Sequence, residues 1–414
     1  MNSYKVAVIG GGAAGLVAAG RCAETGTKTL LLEKNKYLGR KIGITGKGRC
    51  NLTTSIASIE DIIAQYPGNG RFLYSAFSQF SNLDTIDFFN SLGLKTVTER
   101  GQRVFPASDR ARDVVKALEK YAKSSGCEIR PESPVTGISR LPVSGFKITT
   151  AKGPIEVEKA ILAVGGASYP GTGSTGDGYA WARKMGHTIV PIRPALVPLE
   201  TSETWVRDLQ GLSLRNVKVW LSDSDNILGS EFGEMLFTHF GVSGPVILTL
   251  SRIAAAELEK GKQPLIHIDL KPALSPETLD RRIQRDFKKY QRKIIQNALV
   301  DLLPQALIPV VLENAEIERE KATHSITREE RQSLVETLKD LKLTVSGTRP
   351  LSEAIVTAGG VATNEINPRT MESKIISGLY FAGEIIDIDG NTGGFNLQAA
   401  FSTGYVAGAN AADK

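Results

Sequence analysis

Three glycines near the start of the chain, Gly10, Gly12 and Gly15, stand in the order G-x-G-x-x-G, and an acid, Glu33, lies 23 residues after the first. These residue types at this spacing can hold a dinucleotide. Gly10 permits a tight turn, Gly12 lets the backbone approach a pyrophosphate, and Gly15 lets a helix pack closely on a strand. Ala13 and Ala14 fall between the second and third glycines. They would open a helix whose free N–H groups and positive dipole end face the phosphates. Glu33 can accept hydrogen bonds from an adenosine ribose, and its charge argues against a 2′-phosphate. Lys34, directly after it, belongs to the same candidate cofactor set. The motif alone does not separate FAD from NAD.

The elements that must carry these residues are legible around them. Lys5 to Ile9 is β-branched and apolar, a short buried strand, followed by an Ala-rich helix to about Thr25 and a second strand from Thr29 to Leu32. Val6 to Gly20 runs fifteen residues without a charge, but five of them are glycine, which would break a secretory signal helix. No stretch approaches 18 apolar residues, so the sequence predicts no membrane span and a cytoplasmic protein.

Two further glycine clusters follow. Gly171, Gly173 and Gly176 repeat G-x-G-x-x-G after a predicted strand, Ala160 to Val164. This could be a nicotinamide cofactor's site or packing within the first domain. The next strand, Thr188 to Val190, leads to Pro191 and not to an acid, which favours packing. Near the C-terminus, a predicted strand from Ile375 to Ala382 leads into Gly383-Glu384 and a loop through Gly390, Gly393 and Gly394. A helix is predicted from about Leu397, with Ala400, Gly404, Ala407, Gly408 and Ala411 forming a narrow face for close packing. Its N-terminus could place positive dipole at a flavin's N1–C2 edge, which adds Gly394, Phe395, Asn396 and Leu397 to the cofactor set.

Other chemistries are excluded by spacing. Cys22, Cys50 and Cys127 form no C-x-x-C, and the four histidines form no H-x-x-x-H, so neither a disulfide framework nor a metal centre is expected. The segment GRKIGITGKGRCNLT, Gly39 to Thr53, interleaves glycines with four cations and suits a backbone nest for anions. It is not a P-loop, because Gly43 to Gly48 leads to Arg49-Cys50. GVSGP at Gly241 has Pro245 where a hydrolase elbow needs glycine.

Taken in order, GGGAAG, GRKIGITGKGRCNLT, GQRVFPAS (Gly101 to Ser108), AVGGASYPGTGSTGDGYAWARKMGH (Ala163 to His187), GEMLFTHFGVSGPVIL (Gly233 to Leu248), TAGGV (Thr357 to Val361) and GLYFAGEIIDIDGNTGGFNLQAAFSTG (Gly378 to Gly404) resemble the BaiN-like (YhiN-like) NAD(P)/FAD-dependent oxidoreductases. These blocks span nearly the whole chain. The resemblance implies an α/β flavoprotein of the glutathione-reductase-like FAD superfamily, nearest the fumarate-reductase branch. Its Rossmann-like FAD domain would be split, with a small β-barrel and a helical domain inserted. It further implies that Gly39, Arg40, Lys41, Thr45, Gly46, Arg49, Cys50 and Asn51 lie along the ribityl and isoalloxazine. Val135, in SPVTGI, would meet the adenine through its backbone, and Ala163, Gly165 and Gly166 complete the cofactor set.

On that resemblance Cys50 faces the flavin, with Arg49 able to lower its pKa. It would protonate a substrate carbon or simply pack. His239, in the inserted barrel, is the second catalytic candidate, against the reading of a loop histidine bonded to backbone. Arg103 and Tyr169 are weaker candidates as anion and carbonyl holders.

The expected organisation is a first FAD segment over 1–190, barrel over 191–272, helices over 273–335, a return through the barrel over 336–355, and a last FAD segment over 356–414. Pro191, Pro194 and Pro198 read as a stiff hinge. Within the helical part, Glu277 to Ile295 reads as one amphipathic helix. Leu279, Ile283, Phe287, Tyr290 and Ile294 form its buried stripe, and Arg281, Arg285, Lys288 and Arg292 lie opposite.

The whole chain has 414 residues, 41% hydrophobic and 23% charged, with a net charge of +6. This composition fits a soluble protein of several domains, and the mild basic bias is compatible with RNA or anionic substrates. Three functions are carried forward. The first is a flavin reductase taking electrons from NAD(P)H to an unsaturated small molecule. The second is an RNA-modifying flavoenzyme that reduces uridine to dihydrouridine in ribosomal RNA. The third is a flavin-binding regulator without turnover. The oligomeric state is not legible.

Overall fold

The computed structural model describes residues 4–223 and 226–412. The chain forms two compact units, Met1–Ala195 with Ala354–Lys414, and Leu196–Glu353.

The first unit is built on strands whose residues are apolar on both faces, which suits a covered parallel sheet. β1 (Tyr4–Ile9) lies between β2 (Thr29–Leu32) and β9 (Gly153–Leu162), parallel to both. The short β3 (Thr53–Thr54), β4 (Thr96–Glu99) and β5 (Arg103–Pro106) make a separate antiparallel sheet in this unit. β6 (Glu128–Arg130), β7 (Val135–Arg140) and β8 (Phe146–Thr150) complete the main sheet in the order β6-β2-β1-β9-β8-β7. The long β9 is shared: its first half pairs antiparallel with β8, and its last residues pair parallel with β18 (Leu379–Phe381). The last strand of the sheet therefore returns from the far end of the chain.

Five helices of this unit bear on the site: α1 (Ala13–Ala23), α2 (Arg40–Ile44), α3 (Ala111–Ser124), α4 (Asp177–Lys184) and, at the C-terminus, Phe395–Ala411. That C-terminal helix packs against α1. A Cβ on Gly404 would stand 2.4 Å from the Ala14 carbonyl oxygen, and one on Gly408 equally close to that of Ala18. The expected small-residue face is thus a contact between the first helix and the last.

Pro191 and Pro194 lie within β10 (Ile189–Ala195), which pairs antiparallel with β17 (Val356–Val361) across an irregularity between Val190 and Arg193, and the chain passes to the second unit at Leu196, between Pro194 and Pro198. A two-stranded sheet leaves an edge free on each strand, and proline is tolerated there. The strand expected over Ile375 to Ala382 is ordered as strand only over Leu379–Phe381.

The second unit is a closed barrel in the order β11-β14-β13-β12-β15-β16. Its strands are β11 (Leu199–Thr201), β12 (Ser213–Asp223), β13 (Asn226–Thr238), β14 (Gly241–Ser243), β15 (Leu265–Asp269) and β16 (Leu341–Thr348). Helices α5 (Pro245–Glu259), α6 (Pro276–Lys289) and α7 (Arg328–Lys339) share one apolar core with the barrel, to which Leu250, Leu279, Ile283, Leu334 and Leu338 contribute. With these placed, the C-terminal helix is α8. The amphipathic helix ends at Lys289, short of the predicted Ile295, so Tyr290, Arg292 and Ile294 lie beyond it. Tyr290 is its C-cap, and its hydroxyl donates to Asp301 (2.5 Å). Among the described residues no helix is long and apolar enough to cross a membrane.

Candidate functional site

The glycine turn between β1 and α1 has three glycines with three different physical causes. Gly10 has φ +105°, and a Cβ there would lie 2.4 Å from the Ala163 carbonyl oxygen. Gly15 would place a Cβ 1.8 Å from the Gly10 carbonyl oxygen, so only glycine lets the helix start this close to the strand. Gly12, by contrast, would meet nothing within 4 Å. It is the N-cap of α1, no side chain caps the helix, and no acid lies in the first turn. Protein packing does not explain glycine at this position. Open room over uncapped helix N–H groups is the cradle that a pyrophosphate requires, and the residues present fit FAD on that ground.

Glu33 is buried and hydrogen-bonded through both carboxylate oxygens. Its carboxylate accepts from the Gly11 N–H (2.7 Å) and from both the backbone N–H and the side-chain amide of Asn35 (2.8 Å each). It therefore orders the turn from inside. Ser133 donates its N–H to the Glu33 carbonyl (2.9 Å), which brings the start of β7 and Val135 beside this acid. Lys34 bonds Thr175 (2.6 Å) and pairs with Asp177 (2.9 Å) at the start of α4. Burial would raise the Asp177 carboxyl, but Lys34 and Thr175 hold it below its usual range.

The second glycine turn packs on the loop after β2: a Cβ on Gly173 would stand 2.5 Å from the Asn35 amide nitrogen. The strand after α4 is β10, which lies outside the parallel sheet. A second dinucleotide unit is therefore not formed: Gly173 is held by packing, and Gly176 takes φ +79° at the N-cap of α4.

The segment Gly39 to Asn51 hangs from the same turn, because the Gly39 N–H donates to the Gly11 carbonyl (2.9 Å). It forms α2 and then a run of left-handed residues, Gly46, Lys47, Gly48 and Cys50, at φ +56°, +57°, +86° and +63°. Two of these are not glycine, and such conformations are kept where the surroundings over-determine them. Thr45 accepts the Cys50 N–H at its carbonyl (3.0 Å). The Asn51 amide, turned to satisfy its neighbours, donates to the carbonyls of Thr53 (3.1 Å) and Val104 (3.3 Å) and accepts from the Gly394 N–H (3.2 Å). This ties the segment to the N-cap of α8. There Asn396 closes the glycine loop by bonding both backbone groups of Gly390 (2.8 and 2.7 Å), and the Phe395 carbonyl accepts from the Tyr66 hydroxyl (2.6 Å).

Arg40 reaches Asn35 (2.9 Å), while Lys41 points the other way. Its ammonium lies 2.7 Å from a Glu384 carboxylate oxygen and 2.7 Å from the Ser168 hydroxyl. The other Glu384 oxygen accepts from the Thr357 N–H (2.8 Å) and from Ser168 (3.0 Å). Burial acts to raise this carboxyl, and Lys41 with the two neutral donors holds it below its usual range. Gly166 is glycine because a Cβ there would strike the Thr357 hydroxyl at 2.3 Å, and Gly165 takes φ +74° beside it. Sequence reasoning placed Lys41, Gly166 and Glu384 in the set but missed Ser168 and Thr357. A lone hydroxyl in GGAS or TAGG carries no spacing signal.

The reading of Arg49 as activator of Cys50 is corrected. The Arg49 guanidinium pairs with Glu99 (2.5 Å) and Asp109 (2.6 Å) and stacks on Phe105. The two acids raise its pKa, and Arg49 in turn holds Glu99 below its usual range. Cys50 is fully buried, and burial pushes its thiol up to about 12, against a single lowering contact from Thr45. The group is a neutral S–H at physiological pH. His239 belongs to the second unit, in the turn from β13 to β14, edge-on to Phe240. Arg103 is exposed on β5 and donates to the Arg100 carbonyl (3.2 Å). Tyr169 caps a short turn at φ +51°. Cys22, Cys50 and Cys127 are all buried, and among the described residues no group of three or more His, Cys, Asp or Glu could hold a metal.

The chain matches the HI0933-like protein Rossmann domain family over residues 4–410. It is 34% identical over 412 residues, 99% of each chain, to the 3-dehydro-bile acid delta(4,6)-reductase of Clostridium scindens. It is 30% identical to the ribosomal RNA dihydrouridine synthase of Escherichia coli, over 98% of this chain and 97% of that one. Among solved structures, the 3-ketosteroid delta1-dehydrogenase of Sterolibacterium denitrificans superposes with a TM-score of 0.54 at 13% identity, covering 99% of both chains. That likeness shows the fold.

Proposed function

Because the chain belongs to the HI0933-like Rossmann family and is an FAD-dependent oxidoreductase, we propose that it takes electrons from NAD(P)H and reduces a carbon–carbon double bond in an unsaturated small molecule. The observation that supports this reading is the full-length likeness to a 3-dehydro-bile acid delta(4,6)-reductase, on a unit whose Gly12 cradle is open. When bound, FAD supplies hydride transfer at its N5.

The chain's own residues supply binding and orientation. The uncapped first turn of α1, at Ala13 and Ala14, would hold the pyrophosphate. Glu33, bonded to Gly11 and Asn35, would fix the turn and still have a carboxylate lone pair for the adenosine ribose, with Val135 offering backbone beside it. Asn51 and the N-terminus of α8 would hold the isoalloxazine end. Cys50, a fully buried neutral thiol, would pack within the segment and act neither as nucleophile nor as proton donor. NAD(P)H reduction is tested by anaerobic stopped-flow with NADH and NADPH, read at the flavin band. Rapid bleaching by either supports the reading. Bleaching only by dithionite overturns the donor assignment.

A second reading, reduction of uridine in ribosomal RNA, is favoured by one feature. Arg281, Arg285 and Lys288 are exposed on α6 and make no ion pair among the described residues. Such cations can hold phosphates without reading bases.

A further inference from the structure

We propose that the Lys41–Glu384 ion pair is a clasp that holds α2, the Gly165–Ser168 loop and the start of β17 in the geometry that takes FAD, with Lys41 as its positioning residue. The proposal rests on the FAD reading of the first unit.

The two residues are 343 positions apart, yet their charged atoms lie 2.7 Å from each other. Each sits on a segment that touches the glycine turn. Lys41 is in α2, which follows Gly39 and its bond to the Gly11 carbonyl. Glu384 follows Gly383, whose N–H donates to Thr403 (2.9 Å) and whose Cβ would stand 2.9 Å from that of Ala14. The clasp therefore joins both sides of the first turn of α1. Around it, the Thr357 hydroxyl accepts the N–H groups of Ala167 (2.9 Å) and Ser168 (3.1 Å), while Ser168 bonds Lys41 and Glu384. Among the described residues the ammonium of Lys41 is the only charged donor to the Glu384 carboxylate, beside the neutral Ser168 hydroxyl and Thr357 N–H.

The energetics follow from that last fact. With Lys41 removed, the carboxylate keeps two neutral donors and loses its counter-charge in a partly buried site. Breaking one side of such a pair costs more than the pair itself is worth, because the remaining charge stays buried. The segments would then part, or Glu384 would take up a proton. Removing both charges together leaves a neutral cluster that still hydrogen-bonds. A clasp thus predicts a pattern that simple loss of a contact does not: the double variant binds FAD better than Lys41→Met alone, and the single variant improves as pH falls.

The test is titration of apo-protein with FAD, read by flavin fluorescence at pH 8 and pH 6. The proteins are the wild type, Lys41→Met, Lys41→Arg, Glu384→Gln and the double variant Lys41→Met/Glu384→Gln, with circular dichroism as the check on folding. Lys41→Met is expected to bind FAD roughly 30-fold more weakly at pH 8, with a smaller loss at pH 6, because the missing counter-charge lets burial raise the Glu384 carboxyl. The double variant is expected to recover most of that loss, and Lys41→Arg to stay close to wild type. Wild-type affinity in Lys41→Met overturns the clasp. So does a double variant as weak as Lys41→Met, or a loss equal at both pH values. If Lys41→Met does not fold, a folded double variant that binds FAD supports the clasp, and an unfolded one overturns it. Failure of the wild type itself to bind FAD overturns the FAD reading instead.

Discussion

Gly404, near the end of the chain, approaches Ala14 so closely that a single added carbon would stand 2.4 Å from the Ala14 carbonyl oxygen. The contact seats α8 on α1, and with it the two helix N-termini that would serve one cofactor. Gly404→Ala is expected to cost about 1–3 kcal/mol through overpacking. It would appear as a lower urea midpoint for the first unit with an unchanged slope. A midpoint equal to wild type would mean that the two helices separate freely.

Two glycines of one motif should behave in opposite ways. Gly12→Val adds a side chain where the protein has open room, so the apo-protein should melt within about 0.5 kcal/mol of wild type and yet retain little FAD. Gly15→Ala forces a carbon to 1.8 Å from the Gly10 carbonyl and should destabilise the first unit itself. Thermal melting of the apo forms, beside flavin absorbance of the purified ones, separates the two. FAD retained in full by Gly12→Val would displace the pyrophosphate from this turn.

Cys50 should resist alkylation in the folded protein at pH 8, because its thiol is pushed up to about 12 by burial. The sign for stability follows. The folded chain keeps this proton where the unfolded chain, titrating near 9, loses it, so stability falls as pH rises from about 9 towards 12. Compared with Cys50→Ser, the wild type should lose about 1.4 kcal/mol per pH unit more within that window. Urea unfolding at pH 8, 9.5 and 10.5 measures it. Equal slopes in both proteins would contradict a buried neutral thiol.

If RNA is the substrate, changing Arg281, Arg285 and Lys288 to Gln should weaken RNA binding and flatten its salt dependence. Each lost contact would remove about 0.7 from the slope on single strands. Arg292 lies beyond α6 and is left unchanged. FAD content should be the same in both proteins. An RNA affinity indifferent to the three substitutions would favour the small-molecule reading.

What the chain order alone determined was local. The run Lys5 to Ile9, the glycines at 10, 12 and 15, and Glu33 lie within one βαβ unit, where spacing dictates geometry because each glycine answers a nearby backbone constraint. The resemblance carried the split domain, whose last strand joins β9 from residue 379. Tertiary structure decided the rest. Glu33 can be seen as a ribose acid from its position, but only folding shows that its oxygens also order the turn by accepting from Gly11 and Asn35. Arg49 adjoins Cys50 in sequence, yet the left-handed backbone at Cys50 and the acids at 99 and 109 send the two side chains to different surroundings. The helix expected to reach Ile295 stops at Lys289, since periodicity reports a face and not an end. Lys41 and Glu384 carry no mutual signal across 343 positions. A charge pair of that kind exists only once two distant backbones have been brought to one place.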